Sequence, residues 1–138
     1  MVYVDAFVPA DGQSLGDIAG HAAPALGSIG EPWLIPPRSR EIDDPIEAAW
    51  NEPRRTPQPA RCFSEPVRLA RPIEEHAFGR TYVKALDDPR RTDAPNQFWD
   101  IAERVRDHPA WRYLEIDTNH MIPQNRPSEL VRMLLDLA

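Results

Sequence analysis

Two short polar segments hold the residues best suited to chemistry. Asp87 and Asp88 directly follow the β-rich run 81–86, and His120 comes shortly after the β-rich run 111–116. A carboxylate beside an imidazole fixes the tautomer of the histidine and leaves its other ring nitrogen free to act as a base. The alternative is an ordinary surface, because acidic pairs before proline are typical of solvated turns and loop histidines are commonly exposed.

The elements around these segments predict a parallel sheet. A first apolar run covers residues 2–8, and helical spacing follows each of the two later runs. The helical positions are Phe98, Ile101, Ala102 and Val105, then Leu130, Met133, Leu134 and Leu137, with Pro127 and Glu129 in the first turn of the last helix. Because right-handed crossovers join parallel strands, both polar segments are expected at one edge of an α/β sheet of three parallel strands with flanking helices.

The middle of the chain is rich in proline, which forbids long helices there. Sixteen prolines occur in 138 residues, and most lie between residues 14 and 75. One short helix is predicted from Pro45 to Trp50, with Asp44 as its N-cap. Structureless connections of this length are uncommon in compact domains, so we expect residues 14–75 to form an inserted helical cap.

Composition narrows the classes of partner. The net charge of −6, from 16 basic and 22 acidic residues, would repel phosphate backbones and anionic lipids, so no nucleic-acid or membrane partner is expected. The N-terminus lacks the pattern of a signal peptide and no apolar run is long enough for a membrane span, which favours a cytoplasmic protein. With one cysteine, Cys62, and four scattered histidines, neither a metal nor another cofactor is expected.

Several segments resemble the α/β-hydrolase superfamily, most closely its group of small esterases and hydroxynitrile lyases, which includes the plant methyl esterases. The segments are VYVDAFVP at 2–9, DGQS at 11–14, TPQP at 56–59, RTYV at 80–83, DTNHM at 117–121 and Arg126-Pro127. The resemblance implies that the chain corresponds to the C-terminal half of such an enzyme. Residues 1–13 would be the sixth strand and its loop, 14–75 the cap, and 76–138 a strand-helix-strand-helix core.

Carried over to this sequence, the resemblance places the triad acid at Asp88, with Asp87 as the alternative register, and the general base at His120. The nucleophilic serine and the oxyanion donors of the family would lie upstream of Met1. Ser14 does stand in a G-x-S-x-G pattern, but residues 9–11 separate it from the preceding strand, and glycines weaken the helix that follows. We therefore expect Ser14 to cap a short helix rather than to attack a substrate.

The resemblance also implies a substrate class. Hydroxynitrile lyases of this group carry a lysine directly after the base, whereas this chain has Met121, which favours hydrolysis of a small carboxylic ester. Met121, Trp33 and Trp50 are candidates for an apolar substrate pocket, with core packing as the alternative for each.

A sheet of three strands would leave the first strand as an open apolar edge. Such edges invite pairing, so the expected partner is either a second copy of this chain or a chain that carries the N-terminal half. The alternative is that the chain folds poorly on its own. The alternative to an esterase fragment is a non-catalytic remnant or interaction module that binds a partner through this edge.

Overall fold

The structure is a computed structural model that describes residues 1–20, 33–87 and 96–138. In chain order, its strands and helices are β1 (Val2–Val4), α1 (Leu15–Ala19), β2 (Leu34–Ile35), α2 (Pro45–Asn51), β3 (Gln58–Pro59), α3 (Arg61–Ser64), β4 (Thr81–Ala85), α4 (Gln97–Arg106), β5 (Arg112–Ile116), α5 (Ile122–Asn125) and α6 (Pro127–Leu135). Short 3-10 turns cover Glu52–Arg54 and Ile73–Glu75.

The main sheet is parallel and has the strand order β1-β4-β5. Tyr3 lies opposite Tyr82, which in turn lies opposite Tyr113. Every residue of the central strand β4 is buried, as expected for a parallel strand that is covered on both faces. The prediction of three parallel strands with flanking helices is confirmed for this sheet.

Helices cover both faces of the sheet, because successive side chains of a strand point to opposite sides. On one face Tyr82 packs against buried residues of α4, among them Trp99 and Val105. On the other face Val83 and Ala85 pack in a cluster that also contains residues of α5 and α6. Asp5, at the end of β1, and Lys84, on β4, lie on the face of the sheet that α4 covers. Their side chains are therefore enclosed between the sheet and this helix.

The first strand is shorter than its sequence predicts. The apolar run continues to Val8, but β1 ends at Val4 because Asp5 adopts a left-handed backbone conformation with φ of 42°. Asp tolerates this conformation better than most residues, although it still carries strain. The chain turns out of the sheet at this point, and Val8 is instead buried in the cluster beside α4.

The segment 14–75 contains short elements, as its prolines require. Asp44 caps α2 by accepting hydrogen bonds from the amides of Ile46 and Glu47, and Pro45 opens the helix, in agreement with the prediction. Within this region, the two-residue strands β2 and β3 form an antiparallel pair that brings residues 34–35 beside residues 58–59. Sequence periodicity did not predict that pair, since two residues are too few to show one.

A transmembrane span is not found among the helices of residues 1–20, 33–87 and 96–138, since each is too short or too polar.

Candidate active site

The loops after β4 and β5 are tied together at the carboxyl edge of the sheet. The amide of Leu86 donates to the carbonyl of Ile116 at 3.0 Å, and the amide of Asp87 donates to the carbonyl of Thr118 at 3.0 Å. Thr118 itself is buried. These bonds extend the strand pairing into the loops and hold His120 above the end of β4.

His120 is paired with a carboxylate from the first strand. Its Nδ1 lies 2.9 Å from Oδ2 of Asp5, a residue 115 positions away in the sequence. The Asp5 side chain is fully buried, whereas the His120 side chain is 32% exposed. With Nδ1–H donated to the carboxylate, Nε2 is the free nitrogen, and within the described residues it has no hydrogen-bond partner.

The second oxygen of the same carboxylate binds a lysine. Nζ of Lys84 donates to Oδ1 of Asp5 at 2.8 Å and to the carbonyl of Ala85 at 2.7 Å. The amide of Ala85 lies 3.3 Å from the same Oδ1. The ammonium also lies 4.5 Å from the ring centroid of Trp99 on α4. Asp5 therefore bridges a buried ammonium and a partly exposed imidazole.

These contacts keep the carboxylate in its ionised form. Burial alone raises the pKa of Asp5, but the hydrogen bonds and charges of His120 and Lys84 outweigh burial and hold that pKa below its ordinary value. A carboxylate that stays ionised can orient the imidazole and stabilise it when it takes up a proton.

An aromatic stack fixes the other side of the imidazole. The Phe98 ring stacks on His120 with a centroid distance of 4.7 Å, and the Phe7 ring stacks on Phe98, also with a centroid distance of 4.7 Å. Phe98 lies in the first turn of α4, where the side chain of Asn96 accepts hydrogen bonds from the amides of Phe98 and Trp99. The N-cap of α4 thus places an apolar platform against the histidine.

Hydrogen bonds and an ion pair hold residues 41–44, before α2, against the loop that carries His120, and we call this set of contacts the latch. The Asn125 side chain accepts from the amide of Asp43 at 3.0 Å and donates to Oδ1 of Asn119 at 2.9 Å. Nδ2 of Asn119 donates to the carbonyl of Glu41, and Arg126 pairs with the Asp43 carboxylate at 2.7 Å. Residues 41–44 are therefore held beside the candidate site.

The predicted acidic residues fall in different places. Asp88 lies outside the described residues, and the Asp87 side chain is exposed. Among the described residues, the carboxylate that contacts His120 is Asp5, which sequence reasoning missed. One signal was present, because Asp5 and Lys84 are the lone charged residues of two apolar runs, and opposite charges at corresponding strand positions could have been paired.

Ser14 acts as the N-cap of α1. Its Oγ donates to Oδ2 of Asp17 at 2.6 Å and accepts from the amide of Asp17, and the helix ends at Gly20 with a positive φ. The hydroxyl is thus engaged in a capping box rather than presented by a strand-to-helix elbow.

The three candidate pocket residues are not brought together around the imidazole. Trp33 and Trp50 are 58% and 54% exposed, and Arg54 lies over the Trp50 ring. Met121 follows His120 and is half-buried at the start of α5. Among the described residues, the aromatic ring that stacks on the imidazole is that of Phe98, which the sequence indicated only as a position on the apolar face of a helix.

In the stretches that the structure describes, no three His, Cys, Asp or Glu side chains are grouped so as to hold a metal ion. The chemistry that the described side chains support is proton transfer at Nε2 of His120, assisted by Asp5.

Comparisons of the chain with protein-family models, with curated proteins and with solved structures each give no match. The family resemblance therefore rests on the sequence segments quoted above. What the structure adds is an α/β arrangement with a three-stranded parallel sheet and a histidine-carboxylate pair at its carboxyl edge.

Proposed function

We propose that this chain is the C-terminal portion of an α/β-hydrolase of the esterase type, and that it supplies the proton relay for hydrolysis of a small carboxylic ester. The observation that supports the proposal is the 2.9 Å contact between a fully buried Asp5 carboxylate and Nδ1 of a partly exposed His120. In this version of the site, Asp5 takes the role that the family resemblance gives to Asp88.

The relay works through the free nitrogen of the histidine. A serine hydroxyl from polypeptide outside this chain attacks the ester carbonyl, and its proton passes to Nε2 of His120. When the tetrahedral intermediate collapses, the bond to the alcohol breaks and the alcohol leaves with that proton. Water then attacks the acyl-serine in the same manner, which releases the acid and restores both the hydroxyl and the neutral imidazole. Asp5 stabilises the imidazolium in each half of the cycle.

The reactivity of Nε2 can be tested on the chain itself with p-nitrophenyl acetate. A carboxylate-oriented imidazole with a free nitrogen accepts the acetyl group, releases p-nitrophenolate and then loses the acetyl group to water. We expect p-nitrophenolate release that His120→Gln abolishes and that His76→Gln leaves intact. His76 is the matched control because its ring stacks on Phe78, away from any carboxylate contact in the described residues. Release that is equal in all three proteins contradicts the proposal.

One observation favours a second candidate function, that of an interaction module. Met1 accepts from the amide of Thr81, and the amide of Asp5 donates to Val83, so the odd-numbered residues of this stretch face β4. By the alternation of a parallel strand, the backbone groups of Val2 and Val4 point away from β4, to the side of β1 on which no strand of the described residues pairs. An open edge of this kind can pair with a strand of a second copy or of a chain that carries the N-terminal half.

The edge is tested by the substitution Val2→Pro. Proline is tolerated at the first residue of a strand, and the lost amide lies on the open side, so the fold is expected to persist. If the edge pairs two copies, light scattering shows a dimer for the parent chain and a monomer for Val2→Pro. A parent chain that is monomeric at all concentrations, with an unaltered circular dichroism spectrum in both proteins, excludes self-association through β1.

A further inference from the structure

Lys84 stands apart from every other basic residue of the chain. It is the single lysine among 16 basic side chains, and the remaining 15 are arginines. Its side chain is completely buried, although lysine is among the residues least often found fully inside a protein. A buried ammonium persists only when it is paired and hydrogen-bonded, so its partners define its role.

One partner of Lys84, the Asp5 carboxylate, belongs to the candidate site. The register Val4↔Val83 brings the end of β1 beside Lys84 on the next strand, on the same face of the sheet. The ammonium donates to Oδ1 of Asp5 at 2.8 Å, while His120 occupies Oδ2 of the same carboxylate at 2.9 Å. The negative charge of Asp5 is therefore shared between two groups that can be positive.

We propose that Lys84 is a positioning residue that sets the proton affinity of His120 through the carboxylate of Asp5. Without the ammonium, the buried carboxylate would stabilise the positive imidazole more strongly, so less of the imidazole would be in the neutral form that accepts a proton. With the ammonium bound to Oδ1, the carboxylate charge is already compensated, so His120 can release a proton as well as accept one. This inference rests on the proposed function, because it assigns Lys84 a part in the same relay.

Other charged groups lie on the elements around the imidazole. Among the described residues they include Asp117 in the same loop, Asp87 after β4, and Arg126 with its partner Asp43 from residues 41–44. Phe98, from α4, presents an uncharged ring. Among the described residues, Asp5 is the one carboxylate in hydrogen-bond contact with His120, and Lys84 contacts that carboxylate directly.

The unsubstituted chain offers a test that needs no substrate. A single lysine gives a single side-chain ¹⁵Nζ resonance, which can be followed by NMR alongside the ring resonances of His120 as pH is varied. We expect the Lys84 resonance to move with the same midpoint as the His120 titration, because both groups share Asp5. A Lys84 resonance that stays constant through that titration overturns the proposal.

Neutralising Lys84 gives the second test. In Lys84→Gln, which keeps a donor and removes the charge, the midpoint of the His120 titration is expected to rise by about one pH unit or more. The control is Arg106→Gln, an exposed cation that pairs with Glu115 on β5 and leaves the midpoint unchanged. A folded Lys84→Gln with an unshifted midpoint overturns the proposal, and if that variant does not fold, the titration of the unsubstituted chain decides.

These readouts separate the two proposals. If the esterase proposal is wrong, p-nitrophenolate release will not depend on His120. That result would not affect the coupled titration of Lys84 and His120. An uncoupled titration would remove the role of Lys84 and leave the His120-dependent release in place.

Discussion

Asp5 and His120 are separated by 115 positions in the chain, yet Oδ2 of one lies 2.9 Å from Nδ1 of the other. Two structural features bring them together. The left-handed turn at Asp5 ends β1 directly beside β4, and the paired loops after β4 and β5 carry the histidine back over the same edge. The contact is thus a product of strand order and not of local sequence.

Removing the charge of Asp5 should weaken both reactivity and stability. Asp5→Asn is expected to lower His120-dependent release of p-nitrophenolate by about tenfold or more, because an amide holds the imidazole without stabilising its positive form. It also removes the Asp5 counter-charge from the buried Lys84 ammonium, which is expected to cost about 3–5 kcal/mol in the free energy of unfolding. Urea denaturation measures this cost, with the exposed Asp136→Asn as the control. Equal stability of the two variants would contradict the buried pair.

The same pair predicts how stability depends on pH. Since the pKa of Asp5 is lower in the folded chain than in the unfolded one, its contribution is fully present above the unfolded value of about 3.9 and is lost as pH falls through the folded value. The free energy of unfolding of the parent chain should therefore fall steeply below about pH 4, and that of Asp5→Asn should fall less. The free energies of unfolding of the parent chain and of Asp5→Asn are measured from denaturation curves at pH 6 and at successively lower pH values. Parallel curves would show that Asp5 does not titrate differently on folding.

Ser14 should matter for stability and not for ester cleavage. Ser14→Ala removes the N-cap of α1 and is expected to cost about 1 kcal/mol, whereas Ser14→Asn retains a capping side chain and should recover most of that loss. Neither substitution should change p-nitrophenolate release. A release that Ser14→Ala abolishes, together with labelling of Ser14 by a fluorophosphonate, would instead make this residue the nucleophile.

The latch between residues 41–44 and the histidine loop depends on Asn125. Asn125→Ala removes the acceptor of the Asp43 amide and the donor to Asn119, so we expect a loss of about 1–2 kcal/mol in stability. The Asp43 amide should also exchange faster with deuterium than in the parent chain. Gln124→Ala, on the same short helix, serves as the comparison. Unchanged exchange at Asp43 would indicate that the latch contributes little in solution.

The parts of the fold that sequence predicted are those with a local signal. Runs of apolar residues indicated the parallel sheet, and the Asp44-Pro45 pair indicated the start of α2, because capping and proline geometry act within one turn. The end of β1 was wrong by four residues, since the apolar run continues to Val8 while the backbone turns at Asp5. Hydrophobic periodicity reflects side-chain polarity, and it carries no information about a change in the backbone angle φ.

In the candidate site, the location of His120 was predictable from the sequence, whereas its partner Asp5 was not. His120 follows a strand, so its location at the sheet edge followed from topology. Its partner Asp5 required the register of β1 on β4 and the termination of β1, neither of which is written in the local sequence. The sequence did not indicate the role of Lys84. A charged residue inside an apolar run is typical of an exposed strand position, and its burial can be predicted only when its partner on the neighbouring strand is known.

The most direct measurement of the Asp5–His120 pair is the tautomer of the neutral imidazole, read from ¹⁵N–¹H correlation spectra of histidine-labelled protein. The structure predicts a proton on Nδ1 and a free Nε2 for His120, and loss of that preference in Asp5→Asn. A neutral His120 protonated at Nε2, with the same spectrum in Asp5→Asn, would contradict the pair and with it the proposed relay.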